Sequence, residues 1–269
     1  MNNRNWISIF PVVLILVALV AAVGCFDEGL YQKDSTLMTI KSQMLDIVLL
    51  ALIVPLGIVM CVLAHKGRLW AKMFVAGIFA YLAFTYGFYA LSIYLNELFL
   101  VYVALFSLCT FASVMGFHDM SQQINSPPKA VWMKVIAAWL FLFVIGGYAA
   151  WLGEVIPAMI QGTIPESIQG TNLPVSVVHV LDMAFMLPLM MIGAIKLWKG
   201  QASGLAMSAM MLVFVLLTSI SVICMELWLG QAGLEMDMGK LISFCIMAPI
   251  SLVMTLITYR RLSRMMGQH

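Results

Sequence analysis

Charge is what this chain has least of. Asp, Glu, Lys and Arg together make up 10% of the 269 residues, against 63% apolar ones, which excludes an ordinary soluble domain. Cysteine is sparse as well. The five (Cys25, Cys61, Cys109, Cys224 and Cys245) contain no C-x-x-C pair, so a membrane thiol oxidoreductase has no motif to rest on. No P-loop, zinc-hydrolase spacing or serine nucleophile elbow occurs. His65 and His118 fall at helix ends on one side, but His179 and His269 lie at other depths and supply no second axial pair, which argues against a multi-haem cytochrome. The net charge of +2 gives no reason to invoke nucleic acid. No cofactor and no metal is expected.

What the chain does have is long apolar runs. A helix crossing the hydrocarbon core needs about 20 largely apolar residues, and eight stretches qualify: roughly 6–24, 44–64, 70–92, 97–117, 131–153, 175–197, 204–227 and 238–259. Backbone groups find no hydrogen-bond partner in lipid, so continuous apolar runs of this length form helices. The expected fold is an all-α integral membrane protein, one polytopic domain over 1–269, whose principal partner is the bilayer.

The sparse charges give the orientation. Eleven of the fourteen Lys and Arg fall on one side: Arg4, Lys66, Arg68, Lys72, Lys129, Lys134, Lys196, Lys199, Arg260, Arg261 and Arg264. Most acids fall on the other, among them Asp27, Glu28, Asp34, Glu97, Glu154, Glu166, Glu226, Glu235 and Asp237. By the positive-inside rule both termini are expected in the cytoplasm of a prokaryotic cell, with the chain in the inner membrane. Trp6, Trp70, Trp132 and Trp198 are expected to mark the inner interface, Trp151 and Trp228 the outer. Arg4, the first apolar run and Gly24-Cys25 loosely follow a lipoprotein signal. Ala22 stands where a larger aliphatic is usual, so the reading is an uncleaved first helix.

The outer loop 154–174 holds a tandem repeat, IPAMIQGT over 156–163 and IPESIQGT over 164–171. Proline starts and glycine stops each copy, so short turns lying on the outer surface are expected. Ile156, Met159 and Ile160 share a face there. The polar inner loop 118–129 is a candidate hinge. No repeat is evident between the first four and the last four helices.

Asp182 is the most informative position. It lies ~21 Å along the sixth helix from Lys196, so it is buried ~9 Å below the outer boundary of a ~30 Å core. An ionisable group at that depth suggests a functional site, and the bland alternative is a hydrogen-bonding link between helices. His179 precedes Asp182 on the same face. Asp46 is expected at the start of the second helix, where capping is its simpler explanation, and it belongs to the same outer layer as Asn96 and Glu97. Tyr86 and Tyr89 share a face of the third helix. The 23 methionines are expected to serve packing rather than copper.

Several pieces resemble a family of uncharacterised multi-pass prokaryotic membrane proteins: Gln43-x-x-Asp46 with Pro55, Tyr81 with Tyr86 and Tyr89, Asn96 through Tyr102 to Ser107, and Val180-Leu-Asp182 through Pro188. The similarity begins at Gly29-Leu30-Tyr31 and covers about two-thirds of the chain. Lys199-Gly200 departs from it, standing where arginines are the rule. The resemblance implies the membrane fold, points to Asp46, Asn96 and Asp182, and carries no assigned activity. The expectation is a protein that binds or translocates a small polar or cationic ligand through an outward-facing acidic recess, with Asp182, His179, Asp46, Asn96, Tyr86 and Tyr89 lining it. A non-catalytic sensor or assembly subunit with a membrane protein partner is the alternative. A lipid-modifying enzyme using His179 and Asp182 as acid and base is the third reading.

Overall fold

The computed structural model describes residues 6–124 and 130–266. All regular elements among them are helical. Eight helices are long and apolar enough to cross a membrane: Ile7–Phe26, Thr36–His65, Leu69–Ser92, Phe99–Gln123, Val131–Gln161, Val177–Trp198, Ala202–Gln231 and Met238–Met265. They are called the first to eighth helices below. The five cysteines are free thiols.

Two boundaries differ from the expected ones for physical reasons. The second helix starts at Thr36 rather than near 44, because Ser35 caps it by accepting the Met38 amide at 3.3 Å. Its first turns are amphipathic, so hydropathy alone hid them. Asp46 therefore stands in the helix interior, and the capping explanation for it fails. The fifth helix runs through the first repeat copy to Gln161, with Pro157 inside it, and ends at Gly162 in the left-handed region (φ 65°). The second copy, cut off from that helix by Gly162, forms only a 3-10 turn at Glu166–Ile168. Part of the candidate hinge, 118–123, is helical, and 125–129 lies outside the described residues.

The second and sixth helices are each interrupted by a π turn, Leu49–Ile53 and Asp182–Met186. Prolines explain both. Pro55 and Pro188 have no N–H to give, and their rings would strike the carbonyls of Ala51 and Ala184 in a regular α-helix. The residue before each proline instead donates five residues back, Val54 to Leu49 and Leu187 to Asp182, which widens the turn. One constant shift along the chain carries Leu49–Ile53 onto Asp182–Met186, Pro55-Leu56 onto Pro188-Leu189 and Lys66-Gly67 onto Lys199-Gly200. The same shift carries the start of the third helix, Leu69, onto the start of the seventh, Ala202. The two halves thus share a same-direction register of helices that residue identities alone did not reveal.

The chain forms two compact units: residues up to Gln123 together with those from Ala209 onward, and 124–208. In the first unit the third helix is the hub, with 72% of its apolar window buried. Small residues let backbones approach it. A Cβ on Gly77 would stand 2.7 Å from Val213 Cβ and 3.0 Å from the Met210 carbonyl, and one on Gly116 would stand 2.8 Å from Ala76 Cβ. Gly116 also leaves a slot for Trp6. That residue is buried, contacts Phe79 edge-on and donates to Asp119 at 3.1 Å. Tyr259 donates to the Ala209 carbonyl at 3.2 Å, and Tyr81 shares a 2.7 Å hydrogen bond with Ser221.

These close approaches make an asymmetric expectation. Gly77→Leu should lower stability by about 1–3 kcal/mol through overpacking, whereas Gly146→Ala, with nothing within 4 Å of the new Cβ, should be neutral or slightly stabilising. Thermal unfolding of the purified variants in detergent checks both.

Candidate functional site

Asp46 is the best-enclosed acid of the chain. Met38, Ser42 and Asp46 recur every four residues on one buried face of the second helix, one turn ahead of the π turn. About 15 Å of helix separates Asp46 from Thr36, and its side chain is fully buried. Two phenols hold it. Tyr31, from the connection between the first two helices, donates to Oδ2 at 2.7 Å, and Tyr89 of the third helix donates to Oδ1 at 2.9 Å. The Tyr89 hydroxyl also lies 3.1 Å from the Ser42 carbonyl, so its one proton is shared. On the remaining side stands Gly24 of the first helix. A Cβ there would collide with the Asp46 carboxylate and lie 2.9 Å from the Tyr31 oxygen, so only glycine leaves room for the pair.

Three tyrosine rings form the rest of the enclosure. Tyr89 and Tyr102 stack at 5.1 Å, Tyr86 and Tyr102 at 6.3 Å, and Tyr86 packs tilted on Tyr89 at 5.8 Å. The Tyr86 hydroxyl and Ser42 Oγ are buried with no hydrogen-bond partner among the described residues. Asn96 starts the fourth helix by accepting the Leu98 amide at 3.0 Å, and its side chain lies beside the Tyr102 hydroxyl. Glu97 is exposed.

The contrast with Glu226 is instructive. That buried acid of the same unit receives the Lys240 ammonium at 3.3 Å and the Asp237 amide at 3.1 Å. Asp46 has phenols only. Among the described residues no Lys, Arg or His pairs with it, so its charge, when present, has no protein counter-ion.

The connecting segment 27–35 is tied down at several points. Thr39 donates to the Tyr31 carbonyl at 3.1 Å, and Asp34 accepts the Tyr94 amide at 3.0 Å. Burial, reinforced by the Asp46 carboxylate, holds the Tyr31 phenol far above its ordinary pKa, so it stays a donor at physiological pH.

Asp182 and His179 sit in the other unit. Trp151 of the fifth helix links them: its ring packs on His179 at 4.2 Å, and its N–H donates to Asp182 Oδ2 at 3.0 Å. Asp182 is half-buried and opens the π turn. His179 Nε2 lies 3.5 Å from Glu154, whose other oxygen accepts the Ser167 amide at 2.7 Å and so holds the second repeat copy. Tyr148 donates to the Met183 carbonyl inside the π turn at 3.1 Å. Trp151 is therefore a polar link within the unit.

Asp46, Tyr86, Tyr89 and, through Tyr102, Asn96 come together in the first unit. Asp182 and His179 belong to the second. Tyr31, Gly24, Ser42, Tyr102, Trp151 and Glu154 complete the two clusters and were not among the expected site residues. The apolar Leu30-Tyr31 pair in an otherwise polar connection, where the resemblance begins, was the available signal for the first of them. No family model, no curated protein and no solved structure matches the chain.

Asp34 gives a pH test of how firmly this connection is held. Burial raises its pKa above the ordinary 3.8, with the Tyr94 amide opposing. The folded state then binds the proton more tightly than the unfolded one, so stability falls as pH rises through the ordinary aspartate range. Asp34→Asn keeps an acceptor for Tyr94 and removes this fall. Its unfolding temperature should fall less than the wild type's as pH rises across that range, and at least match the wild type at pH 7.

Proposed function

We propose that this is a multi-pass protein of a prokaryotic cytoplasmic membrane, both termini inside, which binds or translocates a small cationic or polar ligand at Asp46. The supporting observation is the fully buried carboxylate held by two phenols, with no basic partner among the described residues, where the hydroxyls of Tyr86 and Ser42 in the same enclosure are also unpartnered. A carboxylate in a low-dielectric interior needs a positive counterpart, either a proton or a small cation. Electron-rich tyrosine faces and spare hydroxyl oxygens suit a cation stripped of its water. The π turn beside Asp46 fits this reading, since such turns gather at functional sites.

This moves the centre of the expected recess from Asp182 to Asp46. Tyr31 then serves as the outer closure, because its hydroxyl must leave Oδ2 before anything from the acid-rich side can reach it. Asp182 and His179 form a second polar cluster whose carboxylate is already engaged by Trp151. The reading as a sensor or assembly subunit draws support from Met159 and Ile160, which are 76% and 80% exposed at the end of the fifth helix. A membrane protein partner could seat there.

Unfolding of the purified protein across a panel of sodium, potassium, ammonium and methylammonium tests the Asp46 reading at constant ionic strength. One cation should raise the unfolding temperature by several degrees, and Asp46→Asn should abolish that rise while remaining folded. Tyr31→Phe should retain it with weaker affinity. An equal rise in Asp46→Asn, or no selective rise in the wild type, contradicts the reading.

A further inference from the structure

The second unit carries a groove between the fifth and sixth helices that the Asp46 reading does not use. Its apolar wall is built from Ala138, Leu142 and Ile145 on one helix and Ile195 and Trp198 on the other, and Lys199 closes one end; the cavity is about 560 Å³. Lys134, Ala138, Leu142 and Ile145 recur at helical spacing, so one stripe of the fifth helix runs from a charged end to an apolar one. Lys134 places its ammonium 5.8 Å from the centre of the Trp198 ring, which brings two lysines from different helices to the same mouth.

That mouth is electrically uncompensated. Among the described residues Lys134, Lys196 and Lys199 meet no carboxylate within 4 Å. Lys196 and Lys199 stand at the end of the sixth helix, where a cation is favoured by the helix dipole. Lys134 has no such excuse. It lies in the opening turns of the fifth helix, where the dipole repels a cation, and that helix end has no side-chain cap and no acid in its first turn. Two lysines from different helices thus stand beside an exposed apolar trough.

We propose that this groove binds an acidic diacyl phospholipid of the lysine-side leaflet. The phosphate sits between Lys134 and Lys199, and an acyl chain lies along Ala138, Leu142 and Ile145. Trp198, half-exposed at 49%, occupies the level between headgroup and chain, where an indole is at home. Basic recesses between membrane helices on the cytoplasmic side take anionic headgroups in this manner.

The test uses the full-length protein in a neutral detergent, titrated with phosphatidylglycerol, phosphatidylcholine or inorganic phosphate while unfolding temperature and bound lipid by native mass spectrometry are followed. Phosphatidylglycerol should bind and stabilise by several degrees, and phosphatidylcholine and phosphate should do neither. The Lys134→Gln/Lys199→Gln double variant should bind phosphatidylglycerol on the order of thirtyfold more weakly, since each lysine near an anionic headgroup contributes about a fivefold factor. Lys72→Gln should bind as the wild type does. Ala138→Leu, which fills the trough and leaves the lysines, should also weaken binding. Equal binding of phosphatidylcholine, stabilisation by phosphate alone, or undiminished binding by the double variant overturns the proposal. Because the readout is lipid binding by the second unit, it is unaffected by success or failure of the cation titration at Asp46.

Discussion

A carboxylate inside a membrane helix is tolerated only when its surroundings replace the water it has lost, and the first unit is organised around that requirement. Tyr31 and Tyr89 each give one hydrogen bond to Asp46. Each needs a supporting structure of its own: a tied-down connection for Tyr31, a buried third helix for Tyr89. Gly24 is fixed by the same demand, since any side chain there displaces the acid. The stacked rings of Tyr86 and Tyr102 complete an enclosure in which the Tyr86 hydroxyl and Ser42 Oγ have no hydrogen-bond partner among the described residues. Glu226 with its lysine shows a buried acid compensated by a basic partner, which Asp46 lacks among the described residues.

Prolines shape both halves in the same way. In the second and sixth helices a missing N–H is absorbed by a π turn, which turns the preceding ionisable residue relative to the rest of the helix. The shared register places His179 where Asp46 stands in the first half. Both positions lie three residues before the π turn, and both take a partner from outside their own helix, Tyr31 and Tyr89 in one case and Glu154 in the other. The same frame thus holds an acid in one unit and an imidazole in the other. Lys66-Gly67 and Lys199-Gly200, with both glycines in the left-handed region, make the following tight turns.

Hydropathy made the eight helices legible because length and apolar content are what a bilayer selects. It misplaced the start of the second helix because Thr36 to Gln43 form an amphipathic extension, and so it also put Asp46 at a helix start instead of in the interior. The tandem repeat was legible as a repeat but not as structure: identical prolines and glycines gave a helical end in one copy and a 3-10 turn in the other, decided by what precedes each. Asp182 was found from depth alone, and its Trp151 partner could not be, because a tryptophan at that level reads equally well as an interface marker. Tyr86 and Tyr89 were placed by their spacing, whereas Tyr31 comes from a connection whose fold no periodicity encodes.

Infrared difference spectroscopy on the wild type and Asp46→Asn is the most direct test of the central claim. Exchange of the stabilising cation should change a carboxyl band that is absent from the variant, together with a tyrosine band lost in Tyr31→Phe. A carboxyl band of Asp46 that stays constant through the exchange would show that the acid is sealed structure and takes no part in binding.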